Sequence, residues 1–124
     1  MILVDTSVWV EHLRHGQPRL AALLQEGKVL IHPWVIGELA CGHLRNRAEV
    51  LELLQGLPAA LVASDQEVLR LIEHDQLMGR GIGYVDAHLL ASAKLSHCQL
   101  WSQDLRLAAL SQERGLAMAE LALE

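Results

Sequence analysis

Apolar residues occur along this chain in two kinds of pattern. Short apolar runs, at 2–4 and 29–31 and in the mostly apolar Gln99-Leu100-Trp101, are typical of short buried strands. Stretches in which apolar residues recur every three or four positions lie between these runs and predict helices. The pair Leu61-Val62 is predicted as a further strand, and Leu116 to Met118 as a weak edge strand.

Capping and helix-breaking residues indicate where the helices begin and end. Pro33 suits the first turn of a helix. Asn46 with Glu49, and Ser64 with Glu67, have the spacing of capping boxes, which predicts two more helix starts. The predicted helices cover about 9–13, 20–27, 33–42, 46–56, 64–78, 84–97 and 104–114.

Strands separated by helices favour an α/β fold with a parallel sheet. The expected architecture is a central parallel sheet of four to five strands flanked by helices on both faces. A chain of 124 residues fits one such domain, over 1–124. In sheets of this kind, ligands bind beyond the carboxyl ends of the strands.

Composition narrows the classes of protein. No segment is long and apolar enough for a membrane helix, and the start lacks the pattern of a signal peptide, so a cytoplasmic protein is expected. Cys41 and Cys98 stand apart in apolar surroundings, which indicates reduced thiols rather than a redox motif or zinc site. The net charge of −5 argues against broad electrostatic capture of nucleic acid and leaves room for a local basic rim.

Two acids follow predicted strands, and two others stand alone among apolar residues. Asp5 comes directly after the first strand, and Asp104 follows the strand at 99–101. If these strands are neighbours, both acids lie at one edge of the sheet. Glu38 and Asp86 have no nearby cation in the sequence. A buried carboxylate of this kind needs a cationic partner, a proton or a metal, and one shared metal would serve all four acids.

Each acid also has an ordinary structural explanation. Asp5 and Asp104 occupy positions where an acid caps a following helix. Glu38 could face solvent, and Asp86 could be a first-turn acid that complements a helix N-terminus. The functional interpretation therefore depends on the four acids in order rather than on any one.

The ordered acids resemble the PIN-domain ribonucleases, and within them the VapC-type toxins of bacterial toxin-antitoxin pairs. ILVDTSVWVEHL resembles the first motif of that family, with Asp5 followed by Thr6 and Ser7. GYVDAHLLASAKL, around Asp86, resembles the motif of the third acid, and LWSQD resembles the closing motif. Trp101 and Ser102 depart from the small aliphatic residue and Thr that are commoner there.

The resemblance implies a single PIN-like domain that hydrolyses RNA without a covalent nucleophile. It assigns four acids as direct or water-bridged metal ligands. It gives Thr6 or Ser102 the role of orienting water or a ligand. Oxygen ligands suit Mg²⁺ or Mn²⁺. The expected partners are an RNA substrate, a VapB-type antitoxin and a second copy of the chain in a homodimer. The implied ligands are Asp5, Glu38, Asp86 and Asp104.

Other functions remain open from the residues alone. A phosphoacceptor signalling domain would need paired acids after the first strand and a late Lys, and both are missing. An inactive PIN-like binding module and a housekeeping RNA-processing nuclease are the closer alternatives. The glycine-rich stretch Gly79 to Gly83 could expose amides to phosphate beside Arg80, although a plain loop is the simpler interpretation. His12 and His15 share a helix face, and surface or core positions explain the seven histidines better than zinc does.

Overall fold

The computed structural model describes residues 1–118 of the 124. Within them, three short strands are separated by helices, as the apolar pattern predicts. The strands are β1 (Ile2–Val4), β2 (Val29–Leu30) and β3 (Gln99–Trp101). The helices are α1 (Thr6–His15), α2 (Pro18–Gln25), α3 (Pro33–Ala40), α4 (Arg47–Gln55), α5 (Asp65–Asp75), α6 (Tyr84–Leu95) and α7 (Leu105–Glu113).

The sheet is parallel, in the order β2-β1-β3. The central strand β1 pairs with both neighbours, so that Leu3 lies opposite Leu30 on one side and Leu100 on the other. Successive strand residues point to opposite faces, and Leu3 and Val4 are both fully buried. Helices therefore cover both faces of the sheet, as predicted, and the carboxyl ends of β1 and β3 lie side by side.

Helix α6 forms much of the core beside the sheet. Its residues from Ala87 to Ala93 are all buried, so this helix is surrounded by protein on every side. Leu89 and Leu90 pack into the main apolar cluster together with Leu107 of α7. Because α6 begins at Tyr84, its first turn reaches the surface while its middle is held rigidly in the core.

The sheet is smaller than predicted: three strands rather than four to five lie in the described part of the chain. The predicted strand Leu61-Val62 is wrong, since these side chains are 60% and 51% exposed. The chain instead makes one parallel bridge between Ile31 and Ala59. At the predicted edge strand a single bridge joins Ala117 to Leu100. A two-residue apolar run does not distinguish a strand from an extended loop that passes the sheet edge.

One of the two predicted capping boxes forms. The Ser64 hydroxyl accepts a bond from the amide of Glu67, and the Glu67 carboxylate accepts one from the amide of Ser64. The prediction for Asn46 is wrong, because that residue has a left-handed backbone, with φ 52°, and its side chain makes no capping bond. A left-handed residue aims its side chain away from the helix start, so the sequence spacing alone does not make the cap.

Two leucines of α4 belong to the core. Leu54 is buried, and Leu51 packs partly buried against the same cluster. No helix in the described residues is both long and apolar enough to cross a membrane.

Candidate active site

Asp5 is held at the junction of the two parallel strands. Its amide donates to the carbonyl of Trp101 in β3, at 2.9 Å, which fixes the end of β1 beside the end of β3. Its carboxylate accepts a bond from the amide of Thr6 and so caps α1. The side chain is only 6% exposed. The capping explanation is therefore correct for Asp5, and the cap aims a buried negative charge at the edge of the sheet.

Two serine hydroxyls complete the surroundings of Asp5. Ser7 and Ser102 both donate to Oδ2 of Asp5, at 2.9 and 2.7 Å. Ser102 also accepts a bond from the amide of Asp104, and Ser7 accepts one from the amide of Gln103. These bonds tie the loop after β3 to the start of α1. Ser102 therefore positions Asp5 and Asp104 relative to each other, even though a Thr is commoner in its place.

Glu38 reaches the same place from α3. Oγ1 of Thr6 donates to Oε1 of Glu38 at 2.5 Å, across 32 positions of sequence. Glu38 is exposed to solvent, as its ordinary structural explanation expects. The bond nevertheless shows that Thr6 joins Glu38 to the acid beside it, Asp5.

Asp86 and Asp104 both lie at helix starts. Oδ2 of Asp86 accepts from the amide of Gly83 at 3.1 Å, in the first turn of α6. Oδ1 of Asp104 accepts from the amides of Arg106 and Leu107, which caps α7. Three helices thus begin at this edge of the sheet with an acid, and the positive ends of their dipoles face the carboxylates.

The four carboxylates interact electrostatically. Partial burial raises the pKa of Asp86 above its ordinary range, and the bond from the Gly83 amide opposes that change. The negative charges of three neighbours raise this pKa further: Asp5, Asp104 and Glu38. The structure therefore brings together all four acids that the sequence singles out, and the ionised form of Asp86 is disfavoured there.

The donor set fits a hard divalent cation, although the acids do not form a ready cage. No group of three or more His, Cys, Asp or Glu side chains in residues 1–118 is arranged to hold a metal ion. Mg²⁺, however, keeps several waters and is commonly bound through one or two carboxylates. Asp86, Asp104 and Glu38 each use one carboxylate oxygen in a side-chain hydrogen bond within this range, which leaves the second oxygen for a cation or its water.

A second polar cluster at the start of α6 was not predicted from the sequence. Asp65 accepts bonds from the hydroxyl of Tyr84, at 2.7 Å, and from Nε2 of His88, at 3.2 Å when that nitrogen carries the proton. The ring of Trp34 stacks on His88 with centroids 4.4 Å apart. The buried His32 lies next to them, and burial together with His88 lowers its pKa to about 4. The only sequence signal was the proximity of Tyr84 and His88 to Asp86.

The glycine-rich loop is attached to α7. Arg80 forms an ion pair with Glu113 at 2.8 Å, so its guanidinium faces α7 rather than a free loop. Gly81 has φ +83°, and a Cβ there would lie 2.7 Å from the side chain of Arg106. This close approach explains a glycine at that position, and the loop supports the turn that leads to Asp86.

The architecture and the acid cluster define a class of protein that comparison with known families identifies. The PIN domain family matches residues 2–113, which is most of the chain. Two curated relatives, both named Ribonuclease VapC32 and from two strains of Mycobacterium tuberculosis, are 50% identical over 121 residues, covering 97% of this chain and 98% of theirs. The chain therefore belongs to the PIN-domain family and, within it, to the VapC proteins.

A solved structure supports the fold independently. PAE2754 from Pyrobaculum aerophilum superposes with a TM-score of 0.59 at 22% identity, covering 87% of this chain and 77% of that one. At this identity the likeness concerns the fold alone. The predicted α/β class and the predicted family are both confirmed.

Proposed function

We propose that this protein is a divalent-metal-dependent endoribonuclease that acts as the toxin of a type II toxin-antitoxin pair. The observation that carries the proposal is the convergence of Asp5, Glu38, Asp86 and Asp104 at one edge of the sheet. The name of the VapC32 relatives supports ribonuclease activity, since they match this chain over nearly its whole length.

The residues of the site have separate tasks in this proposal. A bound Mg²⁺ or Mn²⁺ would activate the attacking water and neutralise charge on the leaving oxygen. Asp86, Asp104 and Glu38 would hold the cation, directly or through water, with the oxygens that their helix caps leave free. Asp5 supplies a fixed negative charge to the same site, and its bonds to Ser7 and Ser102 keep it oriented.

The hydroxyl residues act as positioning groups. Thr6 holds Glu38 through its side chain, and Ser102 holds Asp5. Each hydroxyl bonds a carboxylate of the cluster, so each could also exchange that bond for one to a water. The proposal includes no covalent intermediate, because a water activated by the cation would be the nucleophile.

Purified protein should cleave single-stranded RNA when Mg²⁺ or Mn²⁺ is present and lose that activity in excess chelator. The reason is that the carboxylates offer charge and no electrophile of their own. Labelled RNA separated on a denaturing gel measures the cleavage. Restoration by added Mn²⁺ controls for damage by the chelator, and undiminished cleavage in chelator would contradict the metal requirement.

The toxin role distinguishes this proposal from a housekeeping RNA-processing nuclease. A cluster of carboxylates invites a cationic inhibitor, and Arg makes strong charge-assisted bonds to carboxylates. The inferred inhibitor is a VapB-type antitoxin that places an Arg or Lys in the site. The toxin is further proposed to be a cytoplasmic homodimer, as its resemblance to this class implies.

Induced expression of the protein alone should arrest bacterial growth, and co-expression of the gene adjacent to it should restore growth. The expectation follows because RNA cleavage would stop translation until the site is blocked. Colony counts after induction measure the effect. Normal growth in cells that contain soluble, RNA-cleaving protein would favour the housekeeping nuclease, and soluble protein without cleavage would favour the inactive binding module.

A further inference from the structure

A cationic groove lies beside the acid cluster of this otherwise acidic chain. It has a volume of about 600 Å³ and runs between the last turn of α1 and the loop that joins α3 to α4. Arg14 and His15 line it from α1, and His43 and Arg45 line it from the loop. All four side chains belong to exposed residues. Two elements far apart in sequence therefore present positive or protonatable groups to one groove.

The groove adjoins a second cavity that reaches one acid of the cluster. A smaller cavity of about 90 Å³ shares Arg14 and His43 with the groove and is also lined by Glu38. Glu38 is bonded to Thr6 beside Asp5. A chain lying in the groove would therefore pass Arg14 and His43 and approach Glu38.

The two arginines of the groove have no acidic partner in the described part of the chain. Within residues 1–118, neither Arg14 nor Arg45 forms an ion pair, whereas Arg80 and Arg114 pair with acids on neighbouring elements. Arg14 complements the carbonyl end of α1, but this role does not explain Arg45, which lies on a separate loop. The unpaired guanidiniums are available to a ligand.

The shape of the loop is set by a neighbouring arginine. Arg47 donates from its guanidinium to the carbonyls of Ala40 and Gly42, so it caps the end of α3. This bond pattern occupies Arg47 and holds the segment that carries His43 and Arg45 against α3. The groove is thus a supported surface rather than a collection of independent side chains.

We propose that this groove binds the phosphodiester backbone of single-stranded RNA on one side of the scissile phosphate. The inference rests on the proposed function, since it assigns the path of that substrate. Guanidinium groups match phosphate geometry and bind it through paired hydrogen bonds. An acidic protein segment would match the charges equally, but the nearby carboxylate site, which is proposed to act on a phosphodiester, favours RNA.

The test compares RNA binding by the wild type and by the double variant Arg14→Gln/Arg45→Gln. Anisotropy of a labelled single-stranded RNA of mixed sequence, measured in chelator to prevent cleavage, gives the dissociation constant over a range of salt. The slope of log affinity against log salt should become less steep by about 1.4, because each lost phosphate contact on a single strand contributes about 0.7. In the presence of Mg²⁺, the double variant should cleave RNA less efficiently because its KM is higher.

A matched control removes two charges from another face. Arg70→Gln/Lys94→Gln changes the net charge equally on α5 and α6, at exposed positions that line a different cavity. This variant should keep the wild-type slope. Melting temperatures of both variants check that the fold is retained.

The outcomes separate this inference from the nuclease proposal. If the wild type cleaves RNA and both double variants keep the wild-type salt slope, the groove assignment alone is overturned. Weaker binding of a polyglutamate probe by Arg14→Gln/Arg45→Gln, with RNA binding unchanged, would overturn it in favour of an acidic protein segment. A wild type that binds RNA through the groove but never cleaves it would uphold the groove and overturn the nuclease.

Discussion

Asp5→Asn is expected to reduce RNA cleavage by about 10- to 100-fold, as substitutions in the shells around a catalytic metal do. The substitution keeps the shape of the side chain and removes its negative charge. Asp5 is the most buried of the four acids, at 6% exposure, and it lies where β1 and β3 end together. Water cannot replace the missing charge easily at such a position, so the loss of activity should be large.

The fold should survive this change. An Asn side chain still offers an oxygen to the amide of Thr6, which preserves the cap of α1. Its amide nitrogen would meet the hydroxyls of Ser7 and Ser102, which now donate and would have to accept. Disturbing such bonds costs about 1 kcal/mol each, which is small beside the free energy of unfolding of a domain.

The measurement is the rate of cleavage of labelled RNA by Asp5→Asn and by a control, Glu52→Gln. Glu52 is an exposed acid of α4, so the control removes one negative charge outside the cluster. Circular dichroism melts verify that both variants are folded at the assay temperature. Equal rates for Asp5→Asn and the wild type would remove Asp5 from the site.

Asp86→Asn is expected to raise the melting temperature by a few degrees in chelator while abolishing most activity. Burial, followed by the charges of Asp5, Asp104 and Glu38, raises the pKa of Asp86 despite the opposing bond from an amide. A raised pKa means that the ionised carboxylate destabilises the folded protein. About 1 kcal/mol of relief would correspond to about 3–5 °C for a domain of this size. Functional residues are often replaced with such a gain in stability.

The sign of the pH dependence follows from the same raised pKa. The penalty is absent below the ordinary pKa of 3.8, where the group is protonated in both states, and it grows as the pH rises through the folded pKa. Mild acidification from neutral should therefore narrow the gap between the variant and the wild type. His32 acts oppositely, because its pKa falls from 6.5 to about 4 on folding, so acid costs stability there. That cost is common to both proteins and cancels in their difference.

Thermal melts of the two proteins, with chelator and with Mg²⁺ or Mn²⁺, measure both effects. A cation that binds only the folded state raises its stability by mass action, so metal should stabilise the wild type more than Asp86→Asn. A variant that melts lower than the wild type in chelator and gains as much from metal would make Asp86 a helix cap with no part in a metal site.

The placement of Asp5 and Asp104 could be predicted from the sequence because Asp5 directly follows a strand run and Asp104 follows another after the short link Ser102-Gln103. Parallel neighbours carry their carboxyl ends to one edge, so local pattern and topology lead to the same site. The contact between Glu38 and Thr6 could not be predicted in this way. It crosses 32 positions and depends on how α3 packs against α1, which periodicity does not determine.

The errors have a common physical origin. Leu61-Val62 and Asn46 carry the local signals of a strand and a cap, yet neither forms one. A short apolar pair becomes a buried strand only if a free edge of the sheet lies beside it in register. A capping residue works only if its backbone is extended. Both conditions are imposed by the surrounding structure and not by the residues themselves.

The sequence by itself determined the α/β class, the helices with clear periodicity and the four acids, because apolar spacing and strand-to-helix junctions are local properties of the chain. The tertiary structure alone decided which groups meet. It brought the hydroxyls of Ser7 and Ser102 to the carboxylate of Asp5. It also placed Arg14 and Arg45 in one groove, next to the cavity that Glu38 lines. Such contacts depend on distances between elements remote in sequence, and these distances follow from the packing of the whole core around β1 and α6.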